Sequence, residues 1–88
     1  MIAVYVKPET MTAEQYNKAR EALQATDSSI EGRRHHSCFG EDGQLSVFEI
    51  WESQEAYDAF VPFLVPVLQS LGIVPSARDI MNVVNLEQ

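Results

Sequence analysis

The segment RRHHSCFGEDGQLSVFEIWES, from Arg33 to Ser53, contains most of the side chains in this sequence that can take part in chemistry. Both histidines and the only cysteine precede a short turn, and a glutamate and the only tryptophan follow it. His36 can give or take a proton near neutral pH, and Glu49 across the turn can orient its imidazole ring. Trp51 offers a flat apolar wall for an aromatic ligand. We therefore predict a site with catalytic His36 and Glu49 and with substrate-binding Arg34, Cys38, Val47 and Trp51.

The same residues also have a purely structural interpretation. Arg34 and Glu49 can pair across two strands, His36 can lie in a dimer interface, and Trp51 can anchor the core. Ion-pair networks and interfaces perturb titrating groups as active sites do, so residue types alone do not separate the two. Cys38 lies two residues from His36 and can form a cysteine nucleophile with it, although a small buried thiol is commoner.

A metal site is not predicted. His35 and His36 are neighbours on a strand, so their side chains point to opposite faces of the sheet. No third ligand follows at a helical or hairpin spacing that suits zinc. The four glycines are spread over separate turns and form no phosphate-binding loop. We expect no bound cofactor.

Length and charge limit the class of protein. With 88 residues the chain can form one domain, 1–88, and so small a domain gains stability by oligomerising. The formal net charge of −7 repels phosphate backbones, so we expect no nucleic-acid partner and no membrane partner. One cysteine excludes an internal disulfide, and MIAVYVKPE has no signal-peptide pattern. We predict a cytoplasmic protein.

The order of predicted elements is strand, helix, strand, strand, helix, strand. The strands fall at 2–6, 33–39, 44–52 and 80–86. Thr12 and Gln15 have the spacing of a capping box for the first helix, and Ser53 caps the second. Pro62 and Pro66 predict a break or kink in the second helix near Val61, and Gly72 predicts its end.

This order is the split βαβ, or ferredoxin-like, pattern of an α+β protein with a four-stranded antiparallel sheet. Both helices cover one face of such a sheet, and the other face is left bare. A bare apolar face is commonly buried against a second copy, so we predict a homodimer through it.

Strand alternation predicts which residues share a face. A hairpin loop of two or four residues places Arg34, His36 and Cys38 with Glu49 and Trp51. Since a carboxylate under the helices would be costly to bury, we expect this set to face the bare side and Phe48 and Ile50 to lie under the helices. A three-residue loop would reverse the assignment.

The segments VYVKPETMTAEQY and FEIWESQEAYDAF, on a βαββαβ pattern of this length, resemble the dimeric α/β-barrel superfamily, and within it the antibiotic-biosynthesis-monooxygenase-like branch. The resemblance implies two sheets packed back to back with a pocket in each subunit. Some members oxidise polyketide phenols to quinones without a cofactor, and others open haem. Trp51 matches the tryptophan that lines the site of active members.

Two other family positions differ here. Val4 or Val6 occupies the place of a first-strand asparagine, and the second helix has Phe60, Val61 and Pro62 where haem-degrading members place a histidine. The resemblance therefore disfavours haem degradation. Two hypotheses remain: a monooxygenase-like enzyme for a small aromatic substrate, or a non-catalytic homodimer that binds a small hydrophobic ligand or only itself. A cavity of several hundred Å³ beside His36 and Trp51 would favour ligand binding.

Overall fold

A computed structural model describes residues 1–26 and 30–87. Its elements are β1 (Ile2–Pro8), α1 (Ala13–Gln24), β2 (Arg33–Glu41), β3 (Gln44–Trp51), α2 (Gln54–Ser70) and β4 (Pro75–Asn82). The four strands form one antiparallel sheet in the order β2-β3-β1-β4. The predicted α+β, ferredoxin-like fold is therefore confirmed.

The start of α1 is held by side chains from three parts of the chain. Thr12 and Gln15 form the predicted capping box, each side chain accepting from the other residue's backbone N–H. Asp42, at the tip of the β2–β3 hairpin, accepts from the N–H of Ala13 at 2.8 Å. The Gln15 side-chain amide donates to the carbonyl of Leu71 at 3.0 Å. These bonds hold α1 beside the hairpin and the end of α2.

Helix α2 runs without a break from Gln54 to Ser70, so the predicted interruption near Val61 is wrong. Pro62 and Pro66 remove two amide donors, whose acceptors would be the carbonyls of Asp58 and Pro62. Asp58, Pro62 and Pro66 are all exposed, and they lie four residues apart along the helix. The unpaired carbonyls therefore lie on the solvent face of the helix, where water can bond to them.

The end of α2 is a Schellman motif, as Gly72 predicts. Gly72 has a φ of 71° and donates to the carbonyl of Gln69, and Ile73 donates to the carbonyl of Leu68. Ile73 is buried and belongs to the same hydrophobic cluster as Leu68.

Strand β4 spans Pro75–Asn82 rather than the predicted 80–86. Its register against β1 decides this, since Ile2 pairs with Asn82 and Pro8 with Pro75. The polar residues Arg78 and Asp79 are tolerated because β4 is an edge strand. The last residues of the predicted strand 80–86 extend beyond Ile2, the first residue of β1, so they have no residue of β1 opposite them.

The β2–β3 hairpin has a two-residue loop, Asp42-Gly43, with Glu41 paired to Gln44. A two-residue loop is one of the two lengths for which His36 and Cys38 were predicted to share a face with Glu49 and Trp51. Which face meets the helices, however, is the reverse of the prediction. Trp51 packs with Tyr57 and Phe60 of α2, so its face of the sheet lies under the helices.

The opposite face carries the side chains that were expected in the core. They alternate with the helix-side set along each strand and include Phe39, Phe48 and Ile50; Tyr5 and Met81 lie on the same face. Phe39 and Met81 are each 46 % exposed. The argument from the cost of burying a carboxylate was wrong because Glu49 is supplied with hydrogen-bond donors on the helix side.

Candidate functional site

Glu49 is the centre of a hydrogen-bonded group on the helix side of the sheet. One carboxylate oxygen, Oε2, accepts from His36 Nδ1 at 2.6 Å and from Arg33 Nη1 at 3.2 Å. The other, Oε1, accepts from the indole N–H of Trp51 at 3.0 Å. The Glu49 side chain is only 8 % exposed. A buried carboxylate with three donors is a fully used acceptor rather than an isolated charge.

Strand register brings these residues together. His36 lies directly opposite Glu49, and Trp51 is two positions further along β3 on the same face. A β-bulge at Arg34 shifts the register of β2, so that Arg33 lies opposite Trp51. The bulge therefore turns the guanidinium of Arg33 toward Glu49.

The surroundings of Glu49 favour its ionised form. Burial is the largest influence and by itself raises the pKa of the carboxyl group. The hydrogen bonds from His36 and Trp51, together with the positive charge of Arg33, outweigh it and hold the pKa of Glu49 below its ordinary value. The group is thus a carboxylate at neutral pH.

The ionised carboxylate determines which proton His36 carries. Glu49 can only accept, so Nδ1 of His36 must hold a hydrogen. In the neutral ring Nε2 is then an acceptor, and the hydroxyl of Tyr16 lies 2.5 Å from it. Burial raises the pKa of Tyr16, which keeps the phenol protonated and able to donate. The result is a chain of hydrogen bonds from Tyr16 through His36 to Glu49.

The Tyr16 and His36 rings are arranged end to end. Their planes differ by 6° and their centroids are 6.0 Å apart, while the bond joins the tip of one ring to the edge of the other. Because the lone pair of Nε2 lies in the plane of the imidazole, a nearly coplanar phenol donates along its direction. The geometry suits proton transfer between the two groups.

A cavity of about 540 Å³ lies beside this chain, between the sheet and the helices. Tyr16, His36, Cys38, Val47 and Glu49 all contribute to its wall. Most of the remaining wall is apolar and includes Val6, Met11, Leu23, Phe60, Leu64 and Ile73. A volume of this size accommodates a ligand of several fused rings.

Two of the predicted site residues occupy other positions. Trp51 is wholly buried under α2 and holds Glu49 from behind, so it does not present a stacking face to the cavity. Arg34 is exposed and pairs with Glu52. The bulge gives Arg33 the position expected for Arg34, because one inserted residue reverses the alternation.

The two remaining polar residues of β2 differ in their surroundings. His35 is exposed on the opposite face and bonds to Ser37 at 3.1 Å. Cys38 is half-buried, and burial raises the pKa of its thiol. A raised thiol pKa disfavours the thiolate that a nucleophilic cysteine requires.

Sequence reasoning missed Tyr16 and Arg33. Its helical spacing with Ala19 and Leu23 makes Tyr16 typical of a residue that packs between helix and sheet. A buried tyrosine hydroxyl needs a partner, which is the signal that could have pointed to it. No comparable signal exists for Arg33, because the sequence from Arg33 to His36 does not indicate a β-bulge.

Within residues 1–26 and 30–87, no group of three or more metal-ligating side chains is close enough to hold a metal ion. None of the helices described has the length and the apolar content needed to cross a membrane.

No protein-family model matches the chain, and no curated protein sequence does so. Among solved structures, it is similar to a candidate antibiotic biosynthesis monooxygenase from Chloroflexus aurantiacus J-10-fl. The TM-score is 0.67 at 14 % identity, over 100 % of this chain and 98 % of that one. A candidate antibiotic biosynthesis monooxygenase from Deinococcus radiodurans gives a TM-score of 0.64 at 16 % identity, over 100 % and 97 %. The chain therefore has the fold of these proteins.

Proposed function

We propose that the protein is a small monooxygenase-like enzyme that needs no cofactor and binds an aromatic phenol in the cavity beside the sheet. The observation that carries the proposal is the chain Tyr16–His36–Glu49, whose Tyr16 end lies at an apolar cavity of about 540 Å³. The fold shared with two candidate antibiotic biosynthesis monooxygenases supports the same class of reaction.

The chain supplies a base for the first step. A phenol in the cavity gives its proton to the Tyr16 oxygen while the Tyr16 proton passes to Nε2 of His36. The imidazolium that results is held by the carboxylate of Glu49, as in other histidine–carboxylate pairs. His36 and Glu49 are then the base and its positioning residue, and Tyr16 is the group that contacts the substrate.

The oxidation that follows balances without a reductant. The phenolate, being electron-rich, passes electrons to O₂, and the ring carbon para to the hydroxyl gains one oxygen atom. That carbon loses its hydrogen and becomes a carbonyl, and the second oxygen atom leaves as water. The phenol loses four electrons in becoming a quinone, which is the number that one O₂ takes up.

Trp51 has a different role in this proposal from the one that the sequence suggested. Its indole N–H fixes one oxygen of Glu49, while the aromatic walls of the cavity come from Tyr16, Tyr57 and Phe60. Trp51 is thus a positioning residue for the carboxylate.

A non-catalytic function is the second candidate. Among the described residues, every buried polar side-chain atom has a hydrogen-bond partner without any ligand. A network already satisfied in this way can serve stability alone, and the cavity would then hold a small apolar ligand passively.

The opposite face of the sheet supports the further proposal of a homodimer. Phe39, Phe48 and Met81 lie on it with Tyr5, and a second copy would bury them. Phe48→Lys should then convert a dimer to a monomer in analytical ultracentrifugation, and a wild-type monomer would contradict the proposal. We also propose, from the sequence, that the protein is cytoplasmic.

The test uses 2-naphthol, whose ionised form absorbs at longer wavelength than its neutral form. Wild-type protein should bind it and show the naphtholate band at a pH where free 2-naphthol is neutral. His36→Gln should abolish the band, whereas His35→Gln, the matched change on the opposite face, should keep it. Oxygen uptake with a series of polycyclic phenols then tests catalysis. Binding without a naphtholate band would favour the passive ligand-binding function.

A further inference from the structure

Arg20 is a charged residue on the face of α1 that borders the cavity. Tyr16, Ala19, Arg20 and Leu23 have the spacing of one helical face, and all four line the cavity. The exposed pair Glu14–Lys18 lies elsewhere on α1 and forms an ion pair of its own. The Arg20 side chain is exposed, so its charge lies at the edge of this face, where the cavity meets solvent.

The charges around the cavity are unbalanced. Of the residues that the structure describes, three that are charged at neutral pH line it: Arg20, Arg33 and Glu49. Arg33 pairs with Glu49, whereas no carboxylate of the described residues lies within ion-pair distance of Arg20. Among residues 1–26 and 30–87, the side chains that line the cavity therefore carry one positive charge in excess, in a chain whose net charge is −7. Such a local reversal of sign attracts an anion that the rest of the molecule repels.

The position of Arg20 relates this charge to the proton-transfer chain. Its guanidinium carbon lies 5.9 Å from the centroid of the Tyr16 ring, within the range of a cation–π contact. The hydroxyl of the same ring bonds to His36. Tyr16 thus lies between a site for a hydroxyl and a site for an anion, with apolar wall around it.

We propose that the ligand of this cavity is a hydroxyaryl carboxylate, an aromatic acid whose carboxylate pairs with Arg20. Its hydroxyl meets the Tyr16–His36 pair, and its rings fill the apolar space. A guanidinium presents parallel N–H donors that match the two oxygens of a carboxylate. The hydroxyl half of the proposal rests on the proposed function, whereas the carboxylate half requires only that the cavity bind an aromatic ring.

The experiment separates the two halves with four probes of one ring system: 6-hydroxy-2-naphthoate, 2-naphthoate, 2-naphthol and 2-methylnaphthalene. Their dissociation constants are measured by calorimetry on wild-type protein, on Arg20→Gln and on Lys18→Gln. Lys18→Gln removes the same charge from the same helix at an exposed position, and is the matched control.

Wild-type protein should bind 2-naphthoate about 2- to 5-fold more tightly than 2-methylnaphthalene, the range of a partly exposed ion pair. Arg20→Gln should abolish this difference and Lys18→Gln should keep it. Raising the ionic strength should reduce the difference, because salt screens an exposed pair. The hydroxy acid should bind most tightly of the four.

Other results overturn a defined part of the argument. Equal affinity for 2-naphthoate and 2-methylnaphthalene, or a preference that survives in Arg20→Gln, would refute the carboxylate site and leave the proposed function standing. A preference for 2-naphthoate that depends on Arg20, without ionisation of any bound naphthol, would support the carboxylate site and refute the proposed base. Failure of all four probes to bind would refute both.

Discussion

Replacing Glu49 by Gln removes one charge from the centre of the site while keeping the shape of the side chain. Oε2 receives two donors and Oε1 receives the indole N–H of Trp51. A glutamine has only one acceptor atom, so its amide N–H₂ must face at least one of the three donors. The substitution therefore leaves a buried donor unpaired in addition to removing the charge.

The expected loss of stability follows from these contacts. Hydrogen bonds to a charged group each contribute about 1.5–3 kcal/mol, and removing one partner of a buried ion pair costs about 3–5 kcal/mol. Since glutamine keeps one acceptor, we expect Glu49→Gln to lower the free energy of unfolding by about 3 kcal/mol at pH 7. For a domain of this size, that corresponds to a fall in Tm of roughly 12–24 °C.

The assay is urea and thermal denaturation followed by fluorescence of Trp51, the only tryptophan, which is fully buried in the folded protein. Protein concentration is kept constant, because association would add to the apparent stability. Glu52→Gln is the control, since it removes a carboxylate from an exposed ion pair. A loss below about 0.5 kcal/mol for Glu49→Gln, or one no larger than for Glu52→Gln, would refute the reasoning.

The pH dependence gives an independent test of the same carboxylate. Its folded-state pKa is lowered, so its contribution to stability is complete above the unfolded pKa of about 4.3 and is lost as pH falls through the folded pKa. The stability of wild-type and Glu49→Gln protein should therefore differ most above about pH 5 and converge on acidification. A difference that stays constant down to pH 3 would show that Glu49 has an ordinary pKa.

Three further substitutions test separate parts of the structure. Tyr16→Phe should lower the free energy of unfolding by about 1 kcal/mol and weaken the naphtholate band of bound 2-naphthol. The affinity of this variant for 2-methylnaphthalene should be unchanged. A stronger naphtholate band would show that Tyr16 only blocks access to His36. Arg33→Gln should cost more stability than Arg34→Gln in urea denaturation, by about 1 kcal/mol, because only Arg33 reaches the buried carboxylate; equal losses would contradict the assigned bulge. Gly72→Ala should cost about 1 kcal/mol because its φ is 71°, and a neutral result would argue against the Schellman motif.

Local signals in the sequence were enough to predict much of the fold. The capping box at Thr12 and Gln15, the hairpin turn between Phe39 and Gln44 and the C-terminal glycine at Gly72 each depend on a few adjacent residues. The pairing of His36 with Glu49 follows from the two-residue loop, because the loop length determines which residues of the two strands lie opposite each other. These features lie within one hairpin or one helix end.

Features that depend on distant parts of the chain were decided by tertiary structure. The end of β4 follows the length of β1, and the unbroken α2 depends on which side of the helix its prolines occupy. The bulge at Arg34 exchanged the roles of two adjacent arginines through a shift of one residue.

The clearest example of a feature decided by tertiary structure is which face of the sheet lies under the helices. Strand alternation, a local property of the backbone, predicted that His36, Glu49 and Trp51 share a face if the hairpin loop has two or four residues, and the two-residue loop meets that condition. The sequence could not determine that this face lies under the helices, because the cost of burying Glu49 depends on donors brought to it by the fold. Arg33 reaches it through a bulge, and Tyr16 of α1 completes the chain through His36. Only the packed structure assembles those groups around one carboxylate.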